Sequence, residues 1–293
     1  MEHCGESWEV SGLIGDESVI ANGFLAENNL NELLEIYLTD LVGEKNYEKY
    51  GLGFPLLIKF IDAQDNLSVQ VHPDDELAQQ VYGQNGKTEM WYVIDAEEGC
   101  GLYIGFKEKI TSQQYLQALA DGTLADKMQF YPAKPGDTFM IPAGTIHAIG
   151  KGVLLAEIQQ PSDITFRIYD WDRTDENGIP RELHTNEALQ AIHFEENVGD
   201  FQVHYTPKLN MTVPLVNSAF FHTNLLVCDT VIEKRFAEID SFIIYICLDG
   251  DLEMKYRDQA VMLATGDVVL IPAAIDSVEL VAKRPSSLLE TYC

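Results

Sequence analysis

Apolar and polar residues alternate with period two in the stretch "LSVQVHPDDE", residues 67–76. The alternation runs from Leu67 to His72 and stops at Pro73, which is typical of a short, half-buried strand. Because successive side chains of a strand point to opposite faces, Gln70 and His72 share one face and lie about 6–7 Å apart. That polar face is either solvated or lines a cavity that holds a ligand.

The pattern over the whole chain predicts a mainly β protein with a small helical insert. Apolar strand patterns occur in "FPLLIKFIDA" and "EMWYVIDA", and they return from about residue 201 to the end. Helical spacing marks residues 74–82, residues 183–193 and the amphipathic stretch "ITSQQYLQALADGTLADKM". Many short strands with few helices favour β-barrels or β-sandwiches.

Two stretches repeat one pattern, "PGDTFMIPAGTIHAI" at residues 135–149 and "TGDVVLIPAAIDSVE" at residues 265–279. Both contain Gly-Asp, four residues and then Pro, and His147 of the first copy corresponds to Ser277 of the second. The repeat predicts two related β-barrels, of which only the first keeps its histidine. The alternative is two unrelated hairpins, because turn residues also recur for local reasons.

The composition excludes several classes of function. The 293 residues, with 46% apolar and 10% aromatic residues, are enough for one or two globular cores. The net charge of −28 argues against nucleic acid or an anionic membrane as a partner, because both need a basic surface. An anionic small substrate remains compatible, provided that a few Lys or Arg side chains face it locally.

The cysteines indicate a reducing compartment. They are odd in number, scattered and without a CxxC pair, which is typical of free thiols: Cys4, Cys100, Cys228, Cys247 and Cys293. No signal peptide opens the chain, and the longest apolar run, near "FIIYICL", is too short to span a bilayer. We therefore expect a soluble, cytoplasmic protein.

The first copy of the repeat carries a candidate metal site. Its pattern G-x5-P-x-G-x2-H, residues 136–147, resembles the second motif of the cupin barrels, in which a histidine meets ligands from an earlier hairpin. That hairpin corresponds to "QVH" at residues 70–72, and Glu89 in "GKTEMWYV" supplies a carboxylate. Two imidazoles and one carboxylate with an open position suit a catalytic divalent metal such as zinc, and equally Fe(II).

Several long segments, in order over essentially the whole chain, resemble the short bacterial type I mannose-6-phosphate isomerases. They are "GESWEVS", "VIANG", "FPLLIKFIDA", "LSVQVHPDD", "GKTEMWYVIDA", "IPAGTIHAIGKG" and "EIQQPSDITFRIYDWDR". With the repeat, the resemblance implies two cupin-type barrels. Residues 1–205 would form a metal-bearing, catalytic barrel with helical segments, and residues 206–293 a degenerate, structural barrel. It further implies one Zn²⁺ per chain, or another divalent metal, bound by Gln70, His72, Glu89 and His147.

Members of that family usually carry a few dozen residues, including a Trp-Gly-Gly stretch, before the counterpart of "GESWEVS". Here "MEHC" precedes Gly5. The resemblance therefore leads us to expect that at least one strand of those relatives, and part of their pocket wall, has no counterpart in this sequence.

The resemblance also implies which residues act on the substrate. The family's catalytic arginine corresponds to Arg167, its acidic neighbour to Glu157, and its active-site lysines to Lys59 and Lys87. Interconversion of mannose 6-phosphate and fructose 6-phosphate moves a proton between C1 and C2 through a cis-enediol(ate). The reaction needs an acid/base, positive charge near the enediolate oxygens and an anchor for phosphate. Glu157 is the candidate base and Arg167 a stabiliser or phosphate fork, while the two lysines could meet phosphate.

Two other functions fit the same residues. A cupin could bind a sugar or sugar phosphate as a sensor without converting it, and an Fe(II) oxygenase uses the same fold and ligands. Trp91 and its neighbours are most simply interpreted as packing in the barrel wall. Four other histidines have no ligand partner at a useful spacing: His184, His193, His204 and His222.

Overall fold

The computed structural model describes residues 5–293, so "MEHC", with the expected free thiol of Cys4, lies outside the described residues. Over residues 5–293 the chain forms seven helices: α1 (Leu30–Tyr37), α2 (Thr39–Val42), α3 (Glu44–Tyr50), α4 (Asp75–Tyr82), α5 (Ser112–Ala120), α6 (Leu124–Lys127) and α7 (Thr185–Ala191). The same range forms nineteen strands: β1 (Glu6–Val10), β2 (Leu57–Asp62), β3 (Val69–Val71), β4 (Glu89–Ala96), β5 (Gly101–Phe106), β6 (Met128–Pro132), β7 (Thr138–Ile141), β8 (His147–Ile149), β9 (Val153–Gln159), β10 (Phe166–Tyr169), β11 (Met211–Asn217), β12 (His222–Cys228), β13 (Val231–Arg235), β14 (Ile243–Asp249), β15 (Asp251–Tyr256), β16 (Gln259–Ala264), β17 (Val268–Ile271), β18 (Ser277–Ala282) and β19 (Ser286–Tyr292).

The chain divides into two compact units. Unit 1 comprises the residues up to Trp8 together with 57–202, and unit 2 comprises 9–56 and 203–293. The division after residue 202 lies near the predicted one after residue 205. Residues 9–56, predicted in the first domain, pack instead with the C-terminal residues. For example, the rings of Phe54 and Phe242 lie 4.7 Å apart within unit 2.

Unit 1 contains two five-stranded sheets, in the orders β1-β2-β9-β4-β7 and β10-β3-β8-β5-β6. Side chains from both sheets form its apolar core, among them Ile61, Val93 and Leu102. Alternation along β4 puts Glu89 and Trp91 on the same face as Val93. The inner face therefore changes from apolar to polar toward one end of the strand.

Helices cover the apolar face of β3. A second cluster joins Val69 and Val71 of β3 to Tyr115 of α5, Leu124 of α6 and Ala188 of α7. The apolar side chains of β3 thus pack under helices, and the alternate position, Gln70, points to the opposite face. The polar face of "LSVQVHPDDE" is the inner one.

Unit 2 contains a five-stranded sheet in the order β11-β12-β19-β14-β17 and a four-stranded sheet in the order β13-β18-β15-β16. Its core takes residues from both sheets, including Leu226, Tyr245, Leu252 and Leu280. The strand order reproduces that of unit 1, except that within the described residues the second sheet has no counterpart of β10.

The two Gly-Asp turns of the repeat have the same geometry. The φ angles of Gly136 and Gly266 are +90° and +91°, in the region that favours glycine. Each following carboxylate accepts a hydrogen bond from the backbone N–H three residues earlier, at 3.0 Å for Asp137 and 2.8 Å for Asp267. This agreement favours a true repeat over two unrelated hairpins.

One detail of the repeat differs from the expectation. Sequence spacing matches Ser277 to His147, but Ser277 shares its face of β18 with the exposed Glu279. The alternate residues Val278 and Leu280 belong to the core. A shift of one residue exchanges the faces of a strand, so the inner position holds an apolar side chain.

The predicted mainly β fold is confirmed, although its four sheets are open rather than closed into barrels. The four cysteines within the described residues are free, as expected. None of the helices of residues 5–293 has the length and apolar character needed to cross a membrane.

Candidate metal centre and active site

His72, Glu89 and His147 converge inside unit 1. One ligand atom from each lies within 4.8 Å of the others. The Nε2 atoms of His72 and His147 are 3.7 and 3.2 Å from the Glu89 carboxylate, and all three side chains are buried. Among the residues that the structure describes, this is the one such cluster of His, Cys, Asp or Glu side chains.

A tight turn brings the two ligand strands together. Gln70 of β3 pairs directly with His147 of β8, and the N–H of Gly144 donates to the carbonyl of His72 at 2.8 Å. Gly144 has a φ of +83°, and a Cβ there would lie 2.5 Å from the His193 ring. The glycine of the motif is therefore required by both conformation and space.

Backbone carbonyls fix the tautomer of both imidazoles. Nδ1 of His72 lies 2.8 Å from the carbonyl oxygen of Ile164, and Nδ1 of His147 lies 2.9 Å from that of Thr145. Because a carbonyl only accepts, Nδ1 carries the proton in each ring. The lone pair is then on Nε2, which faces Glu89, as in rings that bind metals.

The electrostatics of the cluster fit a divalent cation. Burial, and then the charge of Glu157, raises the pKa of Glu89 to about 8. Burial lowers the pKa of His147 to about 4 and, together with the charge of Lys87, that of His72 well below its usual value. Neither Glu89 oxygen accepts a hydrogen bond, although both are buried. Three buried groups whose lone pairs face one point form an arrangement that a divalent cation would stabilise.

Gln70, predicted as a fourth ligand, lies beside this cluster. Its amide nitrogen is 3.3 Å from Nε2 of His147, and a half turn of the amide brings its oxygen to the same place. Arg167 of β10 is directly opposite Gln70. Arg167, Gln70 and His147 therefore form a row across the second sheet of unit 1.

Lys87 lies among the ligands. Its Nζ is 3.3 Å from Nε2 of His72 and 3.5 Å from the Glu89 carboxylate, and its side chain is 5% exposed. A buried ammonium group in this position can stabilise an oxyanion that develops beside it.

Glu157 is the middle of a second row, in the first sheet of unit 1. Lys59 and Trp91 lie directly opposite it on β2 and β4. The indole N–H of Trp91 donates to Glu157 at 2.9 Å, and Nζ of Lys59 lies 4.0 Å from Glu157 and 3.6 Å from Glu6. Interpreting Trp91 as wall packing missed this bond. The available signal was its place two residues after Glu89, on the same inner face.

Arg167 belongs to a group of three guanidinium groups. Its Nη1 donates to the carbonyl of Glu182 at 3.0 Å, while its Nε is buried without a hydrogen-bond partner. Arg173 and Arg181 both bind the carboxylate of Asp170. Burial, and then the charge of Arg181, lowers the pKa of Arg167, yet a guanidinium remains charged near neutrality. Arg167 can therefore supply positive charge but not a base.

The site thus combines a potential metal cluster, a buried carboxylate in Glu157 and the cations Lys59, Lys87 and Arg167. These groups are the ones needed to move a proton at a carbon beside a polarised carbonyl.

Comparison with known proteins points to the same chemistry. Residues 3–102 match the family model described as phosphomannose isomerase type I, catalytic domain. The mannose-6-phosphate isomerase of Streptococcus mutans is 33% identical over 276 residues, which cover 94% of this chain and 85% of that protein. Mannose-6-phosphate isomerase ManA of Bacillus subtilis is 32% identical over 284 residues, covering 95% and 87%.

A solved structure extends the likeness to the fold. The crystal structure of the mannose 6-phosphate isomerase from Bacillus subtilis superposes with a TM-score of 0.87 at 31% identity. The match covers 99% of this chain and 90% of that one. The similarity therefore includes both units.

Proposed function

The chain belongs to the type I phosphomannose isomerase family, and we propose that it is a metal-dependent aldose–ketose isomerase that interconverts mannose 6-phosphate and fructose 6-phosphate. The observation that carries this proposal is the buried convergence of His72, Glu89 and His147, with Glu157 and Lys87 nearby. A sugar phosphate is also compatible with the acidic chain, because cations lie at this site.

We propose Zn²⁺ as the metal, one per chain, held by His72, Glu89, His147 and Gln70. The preference for zinc rests on the nitrogen and oxygen donors and on the family. When bound, such an ion polarises a substrate oxygen as a Lewis acid.

Glu157 is the proposed acid/base. Its carboxylate lies close enough to Glu89 to raise the pKa of that ligand, which supports a place next to the metal cluster. It would remove a proton from one of the two reacting carbons and return it to the other. Lys59 neighbours Glu157 and would balance its negative charge.

Lys87 is proposed to stabilise the enediolate rather than to bind phosphate. Its contacts with His72 and Glu89 support this role, because a phosphate on C6 is several bonds away from C1 and C2. Arg167, which is only half-buried, is proposed as the planar cation for the phosphate or for the developing charge. Arg173 is a second candidate for phosphate.

The fold supports different roles for the two units. We propose that the two sheets of each unit correspond to one cupin-type jelly roll, with unit 1 catalytic and unit 2 structural.

The free thiols of the described cysteines support a reducing cytoplasm as the compartment. The charge of −28 supports the absence of a nucleic-acid partner.

The test is a coupled assay of fructose 6-phosphate formation from mannose 6-phosphate, with protein stripped of metal and then loaded with Zn²⁺. We expect turnover that depends on the metal. Binding of mannose 6-phosphate without turnover would instead identify a sensor. Oxygen consumption by the Fe(II)-loaded protein would identify an oxygenase.

A further inference from the structure

Trp91 connects the two parts of the site. Its side chain is fully buried on β4, and its N–H donates to Oε2 of Glu157 at 2.9 Å. The same indole packs edge-on against the ring of His147, with 5.3 Å between the ring centroids. One rigid side chain therefore contacts both the proposed acid/base and a proposed metal ligand.

Unit 2 contains a natural comparison. There the hydroxyl of Tyr245 donates to Glu290, which lies in the corresponding row. Glu290 also accepts from Asn224 at 3.2 Å and lies 2.6 Å from Nζ of Lys234. The carboxylate of unit 2 is thus held by a cation at contact distance. In unit 1 the nearest lysine, Lys59, is 4.0 Å from Glu157, and a neutral N–H fixes the carboxylate.

A neutral donor fixes the position of a carboxylate without adding a charge at contact distance. The indole N–H of Trp91 holds one oxygen of Glu157 at 2.9 Å, while Nζ of Lys59 stays 4.0 Å away. The indole has few rotatable bonds and is packed on all sides, so the orientation it imposes is stiff.

We propose that Trp91 is a positioning residue for the isomerisation. It holds the carboxylate of Glu157 in a fixed position relative to the ring of His147. This inference rests on the proposed function. In the step it serves, the C2 proton of mannose 6-phosphate moves to Glu157, the electrons of the C2–H bond form the C1–C2 double bond, and the π electrons of the C1–O1 double bond move onto O1, which gives the enediolate. A second proton moves from O2 to O1, the electrons left on O2 form the C2–O2 double bond of the ketose, and the electrons of the C1–C2 double bond take the first proton from Glu157 at C1. One carboxylate has to reach both carbons, so its orientation controls the rate.

The first test replaces Trp91 with Phe, which removes the N–H and keeps an aromatic ring. We expect kcat to fall about tenfold to hundredfold, with KM within about threefold and metal content unchanged. The matched control is Tyr245→Phe, which removes the equivalent hydrogen bond in unit 2. It is expected to lower the thermal midpoint without changing kcat. An unchanged kcat in Trp91→Phe would overturn the proposal.

The second test separates positioning from general support of the fold. In a Glu157→Gln background the amide still accepts the indole hydrogen bond, but no carboxylate remains to be oriented. Trp91→Phe should then change the residual kcat by less than about twofold, because the two residues act as one unit. If Trp91→Phe lowered kcat as much in the Glu157→Gln background as in the wild-type background, Trp91 would have a merely structural role, and the inference would be overturned. A fully active Glu157→Gln single variant would instead remove Glu157 from the proposed function itself.

Discussion

Glu157 and Glu290 occupy equivalent positions in the two units. Each lies on the middle strand of its five-stranded sheet, in a row of three directly opposed residues. The row of Glu157 contains Lys59 and Trp91, and that of Glu290 contains Asn224 and Tyr245. In both rows the aromatic residue donates a hydrogen bond to the carboxylate.

The two carboxylates differ in their charged neighbours. Glu290 meets Lys234 of the opposite sheet of unit 2, at 2.6 Å. Glu157 instead has Lys59 of its own sheet at 4.0 Å, and it lies close enough to Glu89, on the adjacent strand, to raise the pKa of Glu89. A buried ion pair thus joins the two sheets of unit 2, whereas His72, Glu89 and His147 of unit 1 form a group that could hold a metal ion.

The ion pair of unit 2 should be sensitive to the loss of one partner. Lys234→Met leaves Glu290 buried next to Tyr245 without its cation. We expect the free energy of unfolding to fall by about 3 kcal/mol, because an uncompensated buried charge is costly. Denaturant unfolding measures this change, and isomerase turnover per folded molecule is expected to stay the same.

The double variant Lys234→Met with Glu290→Gln provides the control. It removes the charge as well as its partner, so it should recover part of the lost stability. If the double variant were less stable than Lys234→Met, the hydrogen bonds of Glu290 would matter more than its pairing.

The residues of the candidate metal cluster could be predicted from sequence because their positions depend on local rules. The turn around Gly144 has its own chemistry, and period two fixes which side chains of β3 and β4 face inward. Placing His72, Glu89 and His147 together needed only the strand pattern and the resemblance that joins it to a motif.

Other features depend on contacts between residues far apart in sequence. The helices α1 to α3 were not predicted, and segment 9–56 belongs to unit 2 through contacts such as Phe54 with Phe242. The burial of Lys87 could not be predicted either, because a lysine after a turn is usually solvated. Its burial becomes tolerable beside Glu89, which only the folded chain reveals.

Loss of either imidazole should remove the metal and the activity together. We expect His72→Ala and His147→Ala to lose bound zinc, because a site with few protein ligands cannot spare one. Metal analysis after dialysis should give one zinc per chain for the wild type and much less for both variants.

The matched control is His222→Ala in unit 2, which should keep one zinc per chain. Full metal content in either His72→Ala or His147→Ala would exclude that residue as a ligand. Two zinc ions per chain in the wild type would contradict the structural role of unit 2.

Arg167 should depend on its planar shape as well as its charge. Arg167→Lys keeps the charge but loses the fork, including the bond from Nη1 to the carbonyl of Glu182. We expect kcat/KM to fall about a hundredfold with metal content unchanged. The control is Arg284→Lys, a surface arginine paired with Asp249 in unit 2, which should leave kcat/KM unaffected. Near-normal kinetics for Arg167→Lys would place Arg167 outside the reacting site.

Lys87 should affect metal binding and turnover in opposite directions. Its ammonium group lies 3.3 Å from Nε2 of His72 and 3.5 Å from Glu89, so it repels a cation held by those atoms. Lys87→Met keeps the length of the side chain and removes the charge. We expect zinc to bind more tightly in competition with a chelator, while kcat falls at least about a hundredfold because the enediolate loses a cation. Lys283→Met, which removes a surface lysine paired with Glu253, should change neither quantity. Weaker zinc binding in Lys87→Met would mean that the ammonium group of Lys87 holds the metal-binding side chains in place. Lys87 would then stabilise the structure of the site rather than act on the substrate.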